Sequence, residues 1–306
     1  MMRAFFIWLS EQRHIRAFAE RSAAGQRMSA RFVAGTQIED VMRATKAMND
    51  LGLSVSIDHL GENVTNAEEA RQSADSYREL LQQIASRGLN ANVSLKLTHM
   101  GLDVDEKLAH DNVCGLVSVA AQQRNFVRVD MEGSPYTDRT LRFVHELHRV
   151  QGNDDAVGAV IQAYLFRSEK DVESLLAERI RIRLCKGAYK EPPEVAFQKK
   201  SDVDANYVKL MKMLLKSGVY HGIATHDQNM IQATKDFARA EKIPLDSFEF
   251  QMLFGIRRDL QQQLVRDGYR MRVYIPFGTE WYPYFMRRLA ERPANVFFIA
   301  RNMLRR

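Results

Sequence analysis

The sequence predicts an α/β protein built as a (β/α)8 barrel, and three observations carry that prediction. Eight short apolar, β-branched runs recur along the chain, each ending in polar or glycine residues. A helical stretch follows each run, and no Gly-rich break divides the chain into halves. The Gly-x-Gly-x-x-Gly turn that would favour a doubly wound open sheet, the runner-up fold, is missing.

Residues 1–50 read as helical, without a strand pattern, and are expected to pack on the outside or base of the barrel. Residues 51–306 then form the barrel as one unit. The predicted strands are Leu53–Asp58, Ala91–Leu97, Phe126–Asp130, Val157–Tyr164, Ile180–Lys186, His221–His226, Phe248–Leu253 and Tyr269–Ile275. The longest helix should run from Asn66 to Arg87 and stop at Gly88, a residue suited to the position after a helix end. Another should run from Asp204 to Lys216, just before Gly218. The last strand is expected to stop at Pro276-Phe277-Gly278, with Thr279 capping a helix that continues to Glu291. Arg287 and Arg288 then fall on the first turns of that helix, where the macrodipole favours anions. Such a local cost suggests a ligand that needs positive charge. Glu291, four residues after Arg287 and three after Arg288, can hold either guanidinium in place, and paired guanidiniums suit a small carboxylate.

Composition narrows the function classes. Of 306 residues, 45% are hydrophobic and 27% charged, which is the profile of a globular protein with a large core. The net charge of +6 is spread along the chain apart from Arg301, Arg305 and Arg306. It suits anionic partners, but no nucleic-acid motif accompanies it. Cys114 and Cys185 belong to no CxxC, so neither a disulfide framework nor a zinc site is expected. The apolar run Ala4–Leu9 is too short to span a bilayer and lacks a cleavage region. A reducing, cytoplasmic setting is the expectation.

Barrel active sites lie at the C-terminal ends of strands. Read there, this chain offers Asp58, Lys96, Asp130, Gln162, Arg183, Lys186, Thr225, His226, Gln251 and Tyr274. Alternation places Ser94, Lys96 and Thr98 on one face of the second strand. Asp130 on the next strand is the natural partner of an inward Lys96. Arg183 shares a face with Arg181 and Cys185. His226 reads either as a core histidine with satisfied hydrogen bonds or as a donor to phosphate. His59, His99 and the carboxylates show no metal-ligand spacing, so no metal is expected. No nucleophile motif is present. Many cations and hydrogen-bond donors without a nucleophile point to a large anionic cofactor and a small anionic substrate.

The segments VSLKLT, VRVDME, VIQAY, IRLCKGAY, IATHD, FQMLFGI, VYIPFG and YFMRRLAE, in this order, resemble proline dehydrogenase over residues 30 to 300, in its bacterial single-function form. The resemblance implies a distorted barrel with a capping eighth helix and noncovalent FAD. It also implies oxidation of L-proline to 1-pyrroline-5-carboxylate, the first step of proline catabolism. A membrane quinone would be the electron acceptor, reached by peripheral contact with the inner face of the membrane. By the same resemblance, Lys96, Arg287 and Arg288 bind the substrate carboxylate, while Tyr189, Leu253 and Tyr274 wall its ring. Asp130 and Arg183 are the implied catalytic residues, Arg183 beside flavin N5. Met131, Gln162, Arg183, Lys186, Gly187, Ala188, Ser201, Thr225 and His226 are the implied flavin contacts. Glu62 is expected to pair with Arg288 across the mouth of the site. Two departures stand out: Ser201 replaces the usual threonine, and Cys185 the usual valine. Two other functions fit a related barrel, namely a flavoenzyme for another cyclic or N-methylated amino acid and a non-catalytic amino-acid sensor.

Overall fold

Strict alternation along each strand decides the architecture. In the computed structural model, eight parallel strands close into one barrel in sequence order, β1 to β8. They are β1 (Ser54–His59), β2 (Ala91–Leu95), β3 (Val127–Val129), β4 (Val157–Gln162), β5 (Arg181–Cys185), β6 (His221–Ala224), β7 (Phe248–Leu253) and β8 (Arg270–Phe277). The structure describes residues 29–61, 64–150 and 152–291, with Ser22 and Gly25 ahead of them; in the last helix the side chains are described as far as Met286. Helix α1 (Ile38–Asn49) precedes the barrel. The barrel helices are α2 (Ala67–Ser86), α3 (Glu106–Gln122), α4 (Thr137–His148), α5 (Ser168–Ala177), α6 (Lys200–Lys216), α7 (Gln228–Ala240), α8 (Arg258–Arg266) and α9 (Trp281–Glu291).

The register sorts the side chains into two sets. Val55, Ile57, Val93, Leu95, Val127, Val129, Ile182, Leu184, Phe250, Val273 and Ile275 sit on one face of their strands and are all fully buried against the helices. Each such residue stabilises the wall by about 1.5–3 kcal/mol relative to exposure. The opposite face, which fills the barrel, is polar: Ser56 registers with Tyr274, Asp58 with Ser94, Ser94 with Arg128, and Gln251 with Arg272. Interiors of such barrels are commonly packed with branched apolar side chains. This one is held by directional bonds.

Helix ends follow local chemistry. Asn66 accepts the amide of Glu69 to start α2, and Gly88, at φ +61°, ends it in the left-handed region. Asp105 and Asp227 cap α3 and α7 in the same way. Helix α6 begins at Lys200, four residues before the expected Asp204.

The carboxyl end of the barrel departs most from expectation. Strand β8 does not stop before Pro276 but runs through it to Phe277, in register with Asp58 and His59 of β1. Proline has no amide hydrogen to give to the ladder. Its carbonyl instead accepts the amide of Ala34, and the amide of Gly278 donates to Gly35. The segment before α1 therefore lies beside the C-terminal end of β8, not at the base. There Phe32 and Val33 pack with Trp281, Tyr282 and Phe285 of α9. Because α9 starts at Trp281, Thr279 is not its cap. Arg287 and Arg288 are the seventh and eighth residues of the helix, beyond the first turn, where the macrodipole effect has faded. Their side chains, and Glu62 with the proposed Glu62–Arg288 pair, lie outside the described residues.

Candidate active site

Arg183, projecting inward from the middle of β5, organises the carboxyl half of the barrel. Its Nη1 donates to Asp130 Oδ1 at 2.7 Å and to Ser94 Oγ at 3.0 Å. Nη2 donates to Ser56 Oγ at 3.1 Å and Nε to Gln251 Oε1 at 2.5 Å. Four strands thus hold one guanidinium, whose carbon also sits 5.2 Å from the centroid of the Tyr274 ring. Space for the Gln251 side chain exists because β6 carries Gly222, in register with Glu249: a Cβ there would lie 2.3 Å from Gln251 Nε2. Gln251 was among the strand-end candidates, whereas Ser56 was not singled out from sequence, although period-two alternation places both on the inward face.

Asp130 receives three hydrogen bonds, from Arg183, from Ser94 Oγ at 3.1 Å and from Tyr274 Oη at 2.7 Å. Burial and the neighbouring Asp130 and Asp58 carboxylates raise the Tyr274 phenol well above its usual pKa, so it remains a donor. Lys96 was expected to pair with Asp130. Among the described residues it pairs instead with Asp58, at 3.4 Å, and Asp58 is in turn approached by the Tyr77 hydroxyl at 3.4 Å. The reason is geometric: Asp58 stands in register with Ser94, next to Lys96 on the adjoining strand, while Arg183 occupies Asp130.

Gln162 closes β4. Its Nε2 donates to the carbonyls of Met131 and Glu132 at 3.1 and 2.8 Å, while its Oε1 is buried with no hydrogen-bond partner. A buried acceptor left this way awaits a donor. Met131 is itself buried, and Glu132 is held by Thr98, whose Oγ1 donates to it at 2.6 Å.

The loop after β5 carries the next candidates. Gly187 has φ +113°, and a Cβ there would lie 2.5 Å from the Tyr164 ring, so only glycine suits the position. Ala188 and Tyr189 are exposed. Lys186 Nζ bridges Asp204 of α6 (2.5 Å) and Asp227 before α7 (2.7 Å). Burial works to raise the Asp227 pKa. The hydrogen bonds from Lys186 and the Asn229 amide and the Lys186 charge outweigh it and bring the group down to about 2. Lys186 therefore fastens the start of α6 to that of α7, with Ser201 exposed on the first turn of α6. Glu191, which sequence reasoning passed over, accepts from the Ser134 amide at 2.7 Å and from Tyr164 Oη at 3.3 Å. It ties the loops after β3, β4 and β5 together.

Beyond β6, Thr225 is buried and its Oγ1 accepts the amide of Asp227 at 3.0 Å. His226 Nε2 accepts the amide of Leu253 at 2.9 Å. That bond leaves Nδ1 as the protonated nitrogen, able to donate. Cys185, level with Gln162, is desolvated, which pushes its thiol up to about 12 and keeps it protonated. Among the described residues no group of histidines, cysteines and carboxylates could hold a metal ion, and no helix is long and apolar enough to cross a membrane.

The arrangement gathers hydrogen-bond donors and cations at the carboxyl ends of the strands of a (β/α)8 barrel, the end at which enzymes of this fold carry their active sites. Residues 41–301 match the family model for proline dehydrogenase, and the chain belongs to that family. It is 42% identical to proline dehydrogenase 1 of Bacillus subtilis (strain 168) over 307 residues, 100% of both chains. It is 41% identical to the proline dehydrogenase of Deinococcus radiodurans over 281 residues, 91% of this chain and 90% of that one. Among solved structures it is similar to proline utilization A from Bdellovibrio bacteriovorus inactivated by N-propargylglycine. There the TM-score is 0.81 at 27% identity, covering 86% of this chain and 32% of that one, so this chain spans about a third of that protein's length. The proline dehydrogenase family and the distorted barrel expected from sequence both stand.

Proposed function

We propose that this proline dehydrogenase uses FAD to oxidise L-proline to 1-pyrroline-5-carboxylate and delivers the electrons to a membrane quinone. The observation that carries the reading is the Arg183 guanidinium, locked by four strands, on the same inward face as the unpartnered Gln162 Oε1. A buried acceptor and a fixed cation fit a flavin ring, which combines N–H donors with a site of accumulating negative charge. When bound, the flavin supplies the hydride acceptor. The residues that would hold it are Met131, Gln162, Arg183, Lys186, Gly187, Ala188, Ser201, Thr225 and His226. Of these, Lys186 acts through its ties to Asp204 and Asp227, and His226 through its Nδ1–H.

Lys96, Arg287 and Arg288 bind the substrate carboxylate, and Asp58 sets the direction of the Lys96 ammonium. Tyr189, Leu253 and Tyr274 wall the ring. Asp130 is a poor candidate for taking the amine proton directly. Three of roughly four lone-pair sites on its carboxylate are already used by Arg183, Ser94 and Tyr274. Its role is to hold Arg183 and Tyr274 and to orient water with what remains. Most of the helices expected over residues 1–28, and the end of the barrel unit beyond Glu291, lie outside the described residues. Electron delivery proceeds from the cytoplasmic face of the membrane by peripheral contact.

The test is the visible spectrum of the purified protein, recorded before and after L-proline is added without oxygen. A flavin spectrum that bleaches with proline supports the proposal. A flavin that bleaches only with another cyclic or N-methylated amino acid reassigns the substrate, and absence of flavin after supply of FAD overturns the cofactor assignment.

A further inference from the structure

The opposite end of the barrel holds a second concentration of positive charge that the reaction does not use. A cavity of about 570 Å³ opens among the loops that lead into β2, β3 and β4. Its charged lining is four arginines, Arg124, Arg128, Arg181 and Arg272, against two carboxylates, Asp155 and Glu249. Both carboxylates are engaged. Glu249 takes Arg272 Nε at 2.6 Å, Tyr220 Oη at 2.9 Å and Gln251 Nε2 at 2.6 Å. Asp155 takes Arg181 at 3.1 Å.

Arg128 is left over. The residue is 5% exposed, and among the described residues the nearby carboxylates pair with Arg181 and Arg272, not with Arg128. Nη1 donates to the carbonyls of Ala159 and Arg181 at 2.9 and 2.6 Å. Among the described residues, Nε is buried without a partner and Nη2 makes no hydrogen bond. The strand beside it makes room for the guanidinium: a Cβ on Gly158 would lie 2.8 Å from Nη1. Phe126 supports it from one side, 4.5 Å from ring centroid to guanidinium carbon. Burial and the charges of Arg183, Arg181 and Arg272 disfavour its cationic form, and only Glu249 opposes them. A buried cation with half its donors idle is costly unless an anion compensates it.

We propose that this cavity is an oxyanion-binding site, in which a phosphate or carboxylate group is held by Arg128 and Arg181 at the amino-terminal end of the barrel. The site is separate from the one that binds the amino acid, and its volume leaves room for an organic body behind the anionic group. Arg128 supplies the recessed charge and Arg181 the charge nearer the opening.

The test is thermal unfolding of the protein as purified with its cofactor, at constant ionic strength, with chloride replaced stepwise by inorganic phosphate or by malonate. Binding to the folded state alone raises the midpoint with ligand concentration, by at least about 3 °C well above saturation. A larger rise with phosphate assigns a phosphate ligand, and a larger rise with malonate a carboxylate ligand. In Arg128→Met the rise should vanish while the midpoint in chloride stays level or increases, because an uncompensated buried charge has gone. If that variant does not fold, Arg181→Gln decides, with an expected loss of affinity of about tenfold for one charge-assisted contact. No anion-specific rise in the wild type, or the same rise in both variants, overturns the proposal and leaves Arg128 as a brace for strand carbonyls.

Discussion

Replacing Arg183 with methionine should destabilise the barrel by breaking a buried ion pair at the centre of its upper interior. Its ion pair with Asp130 is 2.7 Å long, with side chains 7% and 13% exposed. At an effective dielectric of about 20 the attraction is about 6 kcal/mol before desolvation is subtracted. Removing one partner of a buried pair typically destabilises by about 3–5 kcal/mol, because the other charge remains buried and alone. Asp130 keeps Ser94 and Tyr274 as donors, so the expected loss for Arg183→Met lies near the lower figure, about 3 kcal/mol. Asp130→Asn should cost a similar amount, since it strands the guanidinium. In the double variant neither charge is orphaned, and its loss should fall short of the sum by about 2 kcal/mol or more. The assay is a urea-unfolding cycle on the four proteins at neutral pH, with ellipticity and tryptophan fluorescence as probes. A coupling below about 0.5 kcal/mol, the level of independent sites, would refute the view that these two residues form one structural unit.

Two further outcomes follow from the geometry. Gly187→Ala forces an L side chain to φ +113° and into the Tyr164 ring. It should lower bound flavin per chain several-fold and cost about 1–3 kcal/mol of stability; full flavin content in the purified variant would count against Gly187 as a site-shaping residue. Burial lowers His99, with help from His59 and Lys96, and burial lowers His221, with help from Arg128, each to about 3. Below the unfolded value near 6.5 the unfolded chain binds more protons, so each histidine's contribution is complete above that pH. It is lost at about 1.4 kcal/mol per pH unit as the pH falls towards 3. In His221→Gln, which keeps an acceptor for the Ile182 amide, the slope of stability against pH between 4 and 6 should drop by one proton; an unchanged slope would show that His221 does not titrate on unfolding.

Much of this architecture is legible in the chain because its cause is local. Runs such as LSVSID and IRIRLC alternate with period two, and each became a strand within a residue or two of the expected limits. The inward direction of Lys96, Arg183 and Tyr274 comes from the same alternation. What local pattern cannot supply is the match across the barrel. Lys96 pairs with Asp58 and not Asp130 because strand stagger, a property of the closed sheet, sets which neighbours are level. Strand β8 passes through Pro276 because a segment some 240 residues earlier lies alongside its carbonyl. Glu191 gave no signal at all: a single acid in a loop becomes a tie between three loops only once Ser134 and Tyr164 are brought to it.

The interior of β5 to β8 has a bearing on how such a protein can change over generations. An oily barrel tolerates swaps of similar bulk one at a time. Here Gly222 leaves the space that Gln251 fills, Gln251 links Glu249 to Arg183, and Glu249 anchors Arg272. A new side chain at any of these places leaves another donor or acceptor stranded, so acceptable alterations must arrive in sets. Drift in this column should therefore be slow and concerted, while the apolar wall around it is free to wander.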